Sequence, residues 1–407
     1  AYQLAVAGGF KGDQAAWIAS LEGTPGKDGK DASANSILYN WKPQAQLLNF
    51  RKKLISLMAG TLTSQFRVFC AGDSTTLGFG AGTLDSGGQV GCRNFSYPKY
   101  LTDHLVSSGV RASYDNFFGD GAVDVSDSRV ALVGSAARTG VISLGYKSIA
   151  LSASTDGVTF TPGSTNVYDS VTIMVVDISA GASFTIQVDD QAAQTSQVFT
   201  GTGNLVTQTF TFTSGAFNKI TLSNVGSVLI HVCGMLCENC TSPFMSICNI
   251  GMGANTTTQI IGPSDSFDPS EAIKTMKPDL LLVNTGINDI YDNSRAGTNG
   301  SAVISAVSST VSAIVADGIN IIFAMLQPFR SDYYVSGIAS FLSALEPLAE
   351  QENFGIVDLS AAYNYDQAGL NAAGLYFNDL HPNAALYSDI ARIWAKVIAP
   401  PALSGVL

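Results

Sequence analysis

The sequence predicts an α/β fold interrupted by an all-β block. Three observations carry this. A β-branched and aromatic run, QFRVFCAGDS (65–74), ends in a glycine-containing turn and is followed by a helical stretch. From about 128 to 245, short segments alternate apolar and polar residues, with turn residues between them and no helical spacing. After 245, apolar strands and helically spaced segments alternate almost to the C-terminus.

The first 61 residues stand apart. GGFKGDQAAWIASLEG reads as a short helical unit with Trp17, Ile18 and Leu21 on one side. It is followed by GTPGKDGKD, three collagen-like Gly-x-y triplets that read equally well as a flexible linker, since so few triplets do not hold a triple helix alone. NFRKKLISLMAGT (49–61) is an amphipathic helix leading into the main domain. YPKYLTDHLVSSG (97–109) is helical, opened by Pro98 and closed by Gly109.

The block 128–245 contains DSVTIMVVDI, SFTIQVDD, TQTFTFT, NKITLSN and SVLIHV, in which Phe184, Ile186 and Val188 alternate with polar neighbours. That is the pattern of an antiparallel β-sandwich. FMSICNI is then a strand, and DLLLVNTG after Pro278 is a continuous apolar run suited to a parallel strand buried on both faces. Val303, Ile304, Val307, Val311, Ile314 and Val315 share a helix face that ends at Gly318. INIIFAMLQPF and FGIVDLS are further strands, separated by a helix in which Pro347 predicts a break or restart. The last helix is expected from Pro382 to Pro400. The organisation is therefore an N-terminal attachment or linker region (1–61), one α/β domain in two pieces (62–127 and 246–407), and an inserted sandwich (128–245). Neither α/β piece can close the sheet alone.

Of 407 residues, 46% are hydrophobic and 13% charged, which excludes a disordered chain. A formal net charge of −11 without a basic patch argues against nucleic acid as a partner. The absence of an apolar run of about 18 residues argues against a membrane span, and no signal peptide is read at the N-terminus. Four of six cysteines lie in Cys233-x3-Cys237-x2-Cys240-x7-Cys248. A zinc site is conceivable at such spacing, but a strand sends alternate side chains to opposite faces, so buried free thiols are the preferred reading. No metal is expected.

Gly-Asp-Ser at 72–74 lies at the carboxyl end of a predicted parallel strand, where open α/β sheets place their sites. Ser74 there is a candidate nucleophile with its backbone N–H free. A serine hydroxyl needs a base. Of the three histidines, His104 lies mid-helix and His231 in a strand, whereas His381 lies in a loop, NDLHPN, just before a helix. Gly-Ile-Asn-Asp (286–289) ends another parallel strand, and the Asn288 amide could donate to a developing oxyanion or simply serve a turn. NIGMGANTT (249–257) supplies a third loop whose backbone N–H groups could complete an anion site.

GDS, N-x-G-x-G followed by T-T, GxND and HPN resemble, in order, the four blocks of the SGNH (GDSL-like) hydrolases. The resemblance covers about 62–127 and 245–400. It implies a flavodoxin-like three-layer domain, a Ser–His–Asp triad and an oxyanion hole made by the nucleophile's N–H, a glycine N–H and the Asn side chain. Carried over, these are Ser74, His381, Asn288 and the backbone at Gly253 or Ala254. The family's glycine position falls on Ala254, and a backbone donor survives that change unless the loop needs positive φ. The family's acid stands three residues before the histidine. Here that residue is Asn378, while Asp379 has the right chemistry one position late, and Asp379 is narrowly preferred.

The N-terminal segment resembles modules of bacteriophage tail fibres and tailspikes, and an SGNH domain with an inserted sandwich resembles phage enzymes that deacetylate host capsule or O-antigen. This implies a homotrimeric virion protein whose partner is acetylated bacterial surface polysaccharide, working without metal or organic cofactor. A lipid or thioester hydrolase and a non-catalytic glycan-binding adhesin remain open alternatives.

Overall fold

A computed structural model describes residues 38–39, 47–82, 89–119, 127–262, 267–291, 300–325, 327–329 and 334–399. The expected N-terminal helical unit and the Gly-x-y triplets lie outside the described residues.

In chain order the strands begin with β1 (Leu38–Tyr39), β2 (Phe66–Gly72), β3 (Ala112–Ser113) and β4 (Asn116–Phe118). There follow β5 (Val130–Val133), β6 (Ala137–Ser143), β7 (Tyr146–Leu151), β8 (Gly157–Phe160) and β9 (Val167–Val176). Next come β10 (Phe184–Val188), β11 (Gln194–Thr195), β12 (Leu205–Ala216), β13 (Ile220–Asn224) and β14 (Ile230–Glu238). The last four are β15 (Met245–Asn249), β16 (Leu280–Asn284), β17 (Asn320–Met325) and β18 (Gly355–Asp358).

One sheet has the order β1-β18-β17-β16-β2-β15-β3. All its pairings are parallel except that of the edge strand β1. Numbering its five central parallel strands by their order along the chain gives 2-1-3-4-5, the flavodoxin-like arrangement. β2 sits between β15 and β16, which come from after the β block, so the two pieces of the domain interleave.

The two-residue period of a strand divides the core into two layers. Val68, Cys70, Leu280 and Leu282 face helices Leu48–Met58, Tyr97–Ser107 and Ala384–Ile398, where Trp394 is fully buried. Phe69, Ala71, Leu281 and Val283 face Pro269–Met276, Gly300–Ala316 and Tyr334–Glu352. That last helix runs on through Pro347, where a break was expected. The ring lies on the exposed side, so the interruption does not open a gap in the core. The terminal helix starts at Ala384, not Pro382, because Asn383 caps it by accepting from Ala385 and Leu386 N–H groups.

The β block forms a five-stranded sheet (β11-β10-β13-β8-β5) and a six-stranded sheet (β12-β9-β14-β7-β6 with β4 on β14), all antiparallel. A core of Phe160, Phe184, Ile186, Val171 and Val232 fills the space between them. Pairing with this block begins at Asn116, upstream of the expected 128, because β4 already lies against β14. The chain enters and leaves at one sheet edge: Met245 N donates to Arg111 O at 2.9 Å and Cys237 N to Asp115 O at 3.0 Å. All six cysteines are free and five are buried. Cys233 joins the core shared with the α/β layer and Cys237 the core inside the sandwich, so the pair does not converge. Among the described residues no helix is long and apolar enough to cross a membrane.

The seam carries a buried ion pair. Arg67 of β2 donates from Nε and Nη2 to the two oxygens of Glu238 at the end of β14, at 2.8 and 2.7 Å. Gln65 and Thr172 donate to the same carboxylate. Removing one partner of such a pair leaves an uncompensated buried charge. Glu238→Ala should therefore cost about 3–5 kcal/mol, and the double change Arg67→Met with Glu238→Leu much less. Thermal and urea unfolding check this; equal losses for the single and double variants would show that the seam does not depend on the pair.

Candidate active site

The nucleophile candidate is set by the turn that ends β2. A Cβ at Gly72 would collide with Asn284 O and the Thr76 side chain, so only glycine lets β2 pass this close to β16. Asp73 then caps the short helical turn Ser74–Leu77, its Oδ1 accepting from Thr75 N and Thr75 Oγ1 at 2.9 Å each. Ser74 is the first residue of that turn, so the turn does not use its N–H. Burial pushes the Asp73 carboxyl up to about 6 against the Thr75 hydrogen bonds, and the charge of nearby Asp289 adds to the rise.

His381 arrives on a loop closed by a Tyr376–Pro382 bridge and by Phe377 N donating to His381 O at 2.9 Å. Its Nε2 lies 2.9 Å from Ser74 Oγ, across 307 positions of sequence. The atom at its Nδ1 is Asn378 Oδ1, at 3.1 Å, and not a carboxylate of Asp379. Asp379 was narrowly preferred on chemistry; the turn decides otherwise. Asn378 Oδ1 also accepts from the backbone N–H groups of Leu380 (3.0 Å) and His381 (2.8 Å). Two backbone donors require an acceptor there, which orients the amide oxygen inward and leaves Nδ1 as a donor and Nε2 as the acceptor for Ser74. A three-residue step from acid position to histidine is thus built into the turn, and a residue two before the histidine does not reach the ring's Nδ1. Burial pushes the His381 imidazole down to about 4.

The remaining predicted residues meet at the same place. The loop after β15 runs against the Ser74 turn: Met252 N donates to Gly72 O at 2.8 Å. Asn255 Nδ2 bridges back to Gly253 O, and Asn255 O receives Asn288 Nδ2, both at 2.8 Å. Ser74, Gly253, Ala254, Asn288 and His381 line one pocket of about 190 Å³, together with Leu77, Phe79, Gln89, Cys92 and Leu380. The arrangement can deprotonate Ser74, direct it at a carbonyl carbon, and offer N–H groups to the oxygen.

Three contributors were not foreseen. Asn249, the first residue of the NIGMGANTT loop, was given no role of its own. Its Nδ2 donates to Thr76 O (2.9 Å) and Ser96 Oγ (3.0 Å), and its Oδ1 accepts from Gly251 N (2.9 Å), fastening the second loop to the nucleophile's turn. The Phe79 ring lies beside the His381 ring, centroids 4.3 Å apart and planes tilted by 42°. Gly80, at φ +94, has the His381 and Phe377 Cβ atoms 3.0 Å from where its own Cβ would stand. The spacing of glycines in GFGAG was the signal available for the last two.

No family model matches the chain, and no curated protein matches it. Among solved structures the fold is shared with a peptidoglycan O-acetylesterase, at 14% identity and a TM-score of 0.63, covering 85% of this chain and 94% of that one. A family two carbohydrate esterase from Cellvibrio japonicus matches at 10% identity over 72% of this chain and 97% of its own, with a TM-score of 0.28. One from Clostridium thermocellum matches at 12% over 68% and 100%, with a TM-score of 0.29.

Ala254 stands at φ +62, so the loop does require the left-handed conformation that a glycine would adopt freely. That conformation costs an L-residue ~1–2 kcal/mol, and glycine gives back ~0.5–1 kcal/mol through unfolded-chain entropy. Ala254→Gly should therefore raise stability by ~0.5–1 kcal/mol, seen as a higher melting temperature. A lower one would mean that the methyl group contributes packing that outweighs the strain.

Proposed function

We propose that the chain is a serine esterase of the SGNH type that removes O-acetyl groups from a bacterial surface polysaccharide. The observation that carries the reading is the 2.9 Å contact of Ser74 Oγ with His381 Nε2, at the carboxyl edge of a parallel sheet and in one pocket with Asn288 and the 253–254 backbone. Ser74 Oγ attacks the acetyl carbonyl carbon as its proton passes to His381 Nε2. The carbonyl electron pair moves onto oxygen, held by N–H groups of Ser74, the 253–254 loop and Asn288. Collapse breaks the bond to the sugar oxygen, which takes the proton from Nε2. Water repeats the sequence on the acetyl-enzyme, releasing acetate and restoring Ser74.

The pocket, about 190 Å³ among the described residues, has room for a short acyl group such as acetyl. Asn378 at the acid position supports the second reading, a glycan-binding protein on an idle scaffold, because a neutral amide orients the imidazole without stabilising its charge. A place in a phage tail, as a homotrimer, rests on the resemblance of the N-terminal segment and the Gly-x-y triplets alone.

Acetate release from acetylated polysaccharide, lost by at least several hundred-fold in Ser74→Ala, tests the esterase; equal release by the variant would remove Ser74 from the chemistry. Asn378→Asp tests the site's electrostatics. The base must be neutral, and His381 is neutral above about 4, so the acid limb of kcat/KM should fall near that pH in the parent protein. A carboxylate at Nδ1 favours the imidazolium and raises this pKa by ~1–3 units. The acid limb should move up by that amount while kcat at neutral pH rises roughly 10-fold or more. An unmoved limb would mean that His381 is not the titrating base.

A further inference from the structure

We propose that Phe79 is a positioning residue for the base: its ring holds the His381 imidazole in line with Ser74 and favours the imidazolium formed during attack, a task that a carboxylate at Nδ1 would otherwise share. The inference rests on the esterase reading of the site. The Phe79 and His381 rings lie 4.3 Å apart between centroids, tilted by 42°. A cation within about 6 Å of an aromatic centroid is attracted by the ring's quadrupole, more strongly where water is excluded.

Phe79 is itself held on the nucleophile's own turn. Its N–H donates to Ser74 O at 3.0 Å, and its carbonyl accepts from the buried Tyr387 hydroxyl at 2.8 Å. Phe377 meets its edge at 6.4 Å. Gly80 follows, and the close approach of the His381 and Phe377 Cβ atoms there leaves no room for a side chain that would push the loop away. One six-residue segment, 74–79, thus sets both the nucleophile and a wall against which the base rests. The need is clear from the surroundings. Burial lowers the His381 pKa. Its Nδ1 partner, Asn378, is neutral. An imidazolium formed there has the Asn378 carbonyl oxygen at Nδ1 and the Phe79 ring 4.3 Å away between centroids.

The test compares Phe79→Leu, which keeps apolar bulk and drops the π face, with Phe79→Tyr, which keeps the face. With a small acetyl ester, kcat should fall about 10-fold in the leucine variant, KM should stay within about two-fold, and the tyrosine variant should retain most of kcat. Leucine within two-fold of the parent, or tyrosine as slow as leucine, overturns the proposal. Ser74→Ala in the same assay separates the two levels: activity that survives it sinks the reading of the site, whereas activity lost with Ser74 but indifferent to Phe79 sinks this inference alone. A parent chain inert to every acetyl ester overturns both. Proton NMR of the parent guards against a variant that fails to fold. Among three histidines, the His381 ring protons should be shifted upfield by the Phe79 ring current, and unshifted signals would contradict the contact whatever the variants do.

Discussion

The site depends on the shared register of three parallel strands. Asn284 of β16 lies opposite Gly72 of β2, and Asn249 of β15 lies opposite Cys70. Neighbouring strands are ~4.8 Å apart, so three loops leave the sheet within one span of side chains. Ser74, the 250–255 backbone and Asn288 are the first residues those loops can offer. The cost of this closeness falls on Gly72, where no side chain fits, and on Asn249, whose amide must satisfy carbonyls and an N–H from two loops at once. His381 is the exception. It stands on no strand and reaches the site through a closed turn pinned to Gly80 and to the terminal helix.

A second constraint is the tension between burial and charge. Ser74 is buried and His381 half-buried, and burial strengthens hydrogen bonds aimed at a developing oxyanion. The same burial lowers the basicity of His381 and raises the carboxyl of Asp73 directly beneath the nucleophile. With an amide at Nδ1, tautomer and orientation are fixed but the imidazolium gains no ionic partner. The Phe79 ring, 4.3 Å from the imidazole between centroids, is supplied by the segment that carries the nucleophile.

Much of this was legible in the sequence because it is written in periods. Continuous apolar runs such as Leu280–Asn284 marked the parallel strands, and Phe184, Ile186 and Val188 marked the sandwich. Ser74, His381 and Asn288 were legible because each follows a strand or precedes a helix cap at the same sheet edge. What was not legible depended on turn geometry. Asn378 and Asp379 differ by one position, and only the two backbone N–H groups that gather on Asn378 Oδ1 decide between them. Pro347 signalled a break, yet on the outer side of a long helix the missing hydrogen bond faces solvent. The entry into the sandwich at Asn116 was hidden because β4 is three residues long, too short for any periodicity to register.

Covalent labelling by a fluorophosphonate probe bears most directly on the claim that Ser74 is a nucleophile activated by His381. Such probes react with a serine whose proton is drawn away and whose incoming oxyanion is held, which is what the 2.9 Å contact and the shared pocket supply. Mass spectrometry of the tryptic peptide running from Val68 to Arg93 should find one phosphonate on Ser74, with labelling slowed by orders of magnitude in His381→Ala. An unlabelled Ser74, or a label on another serine at equal rate, would contradict the account.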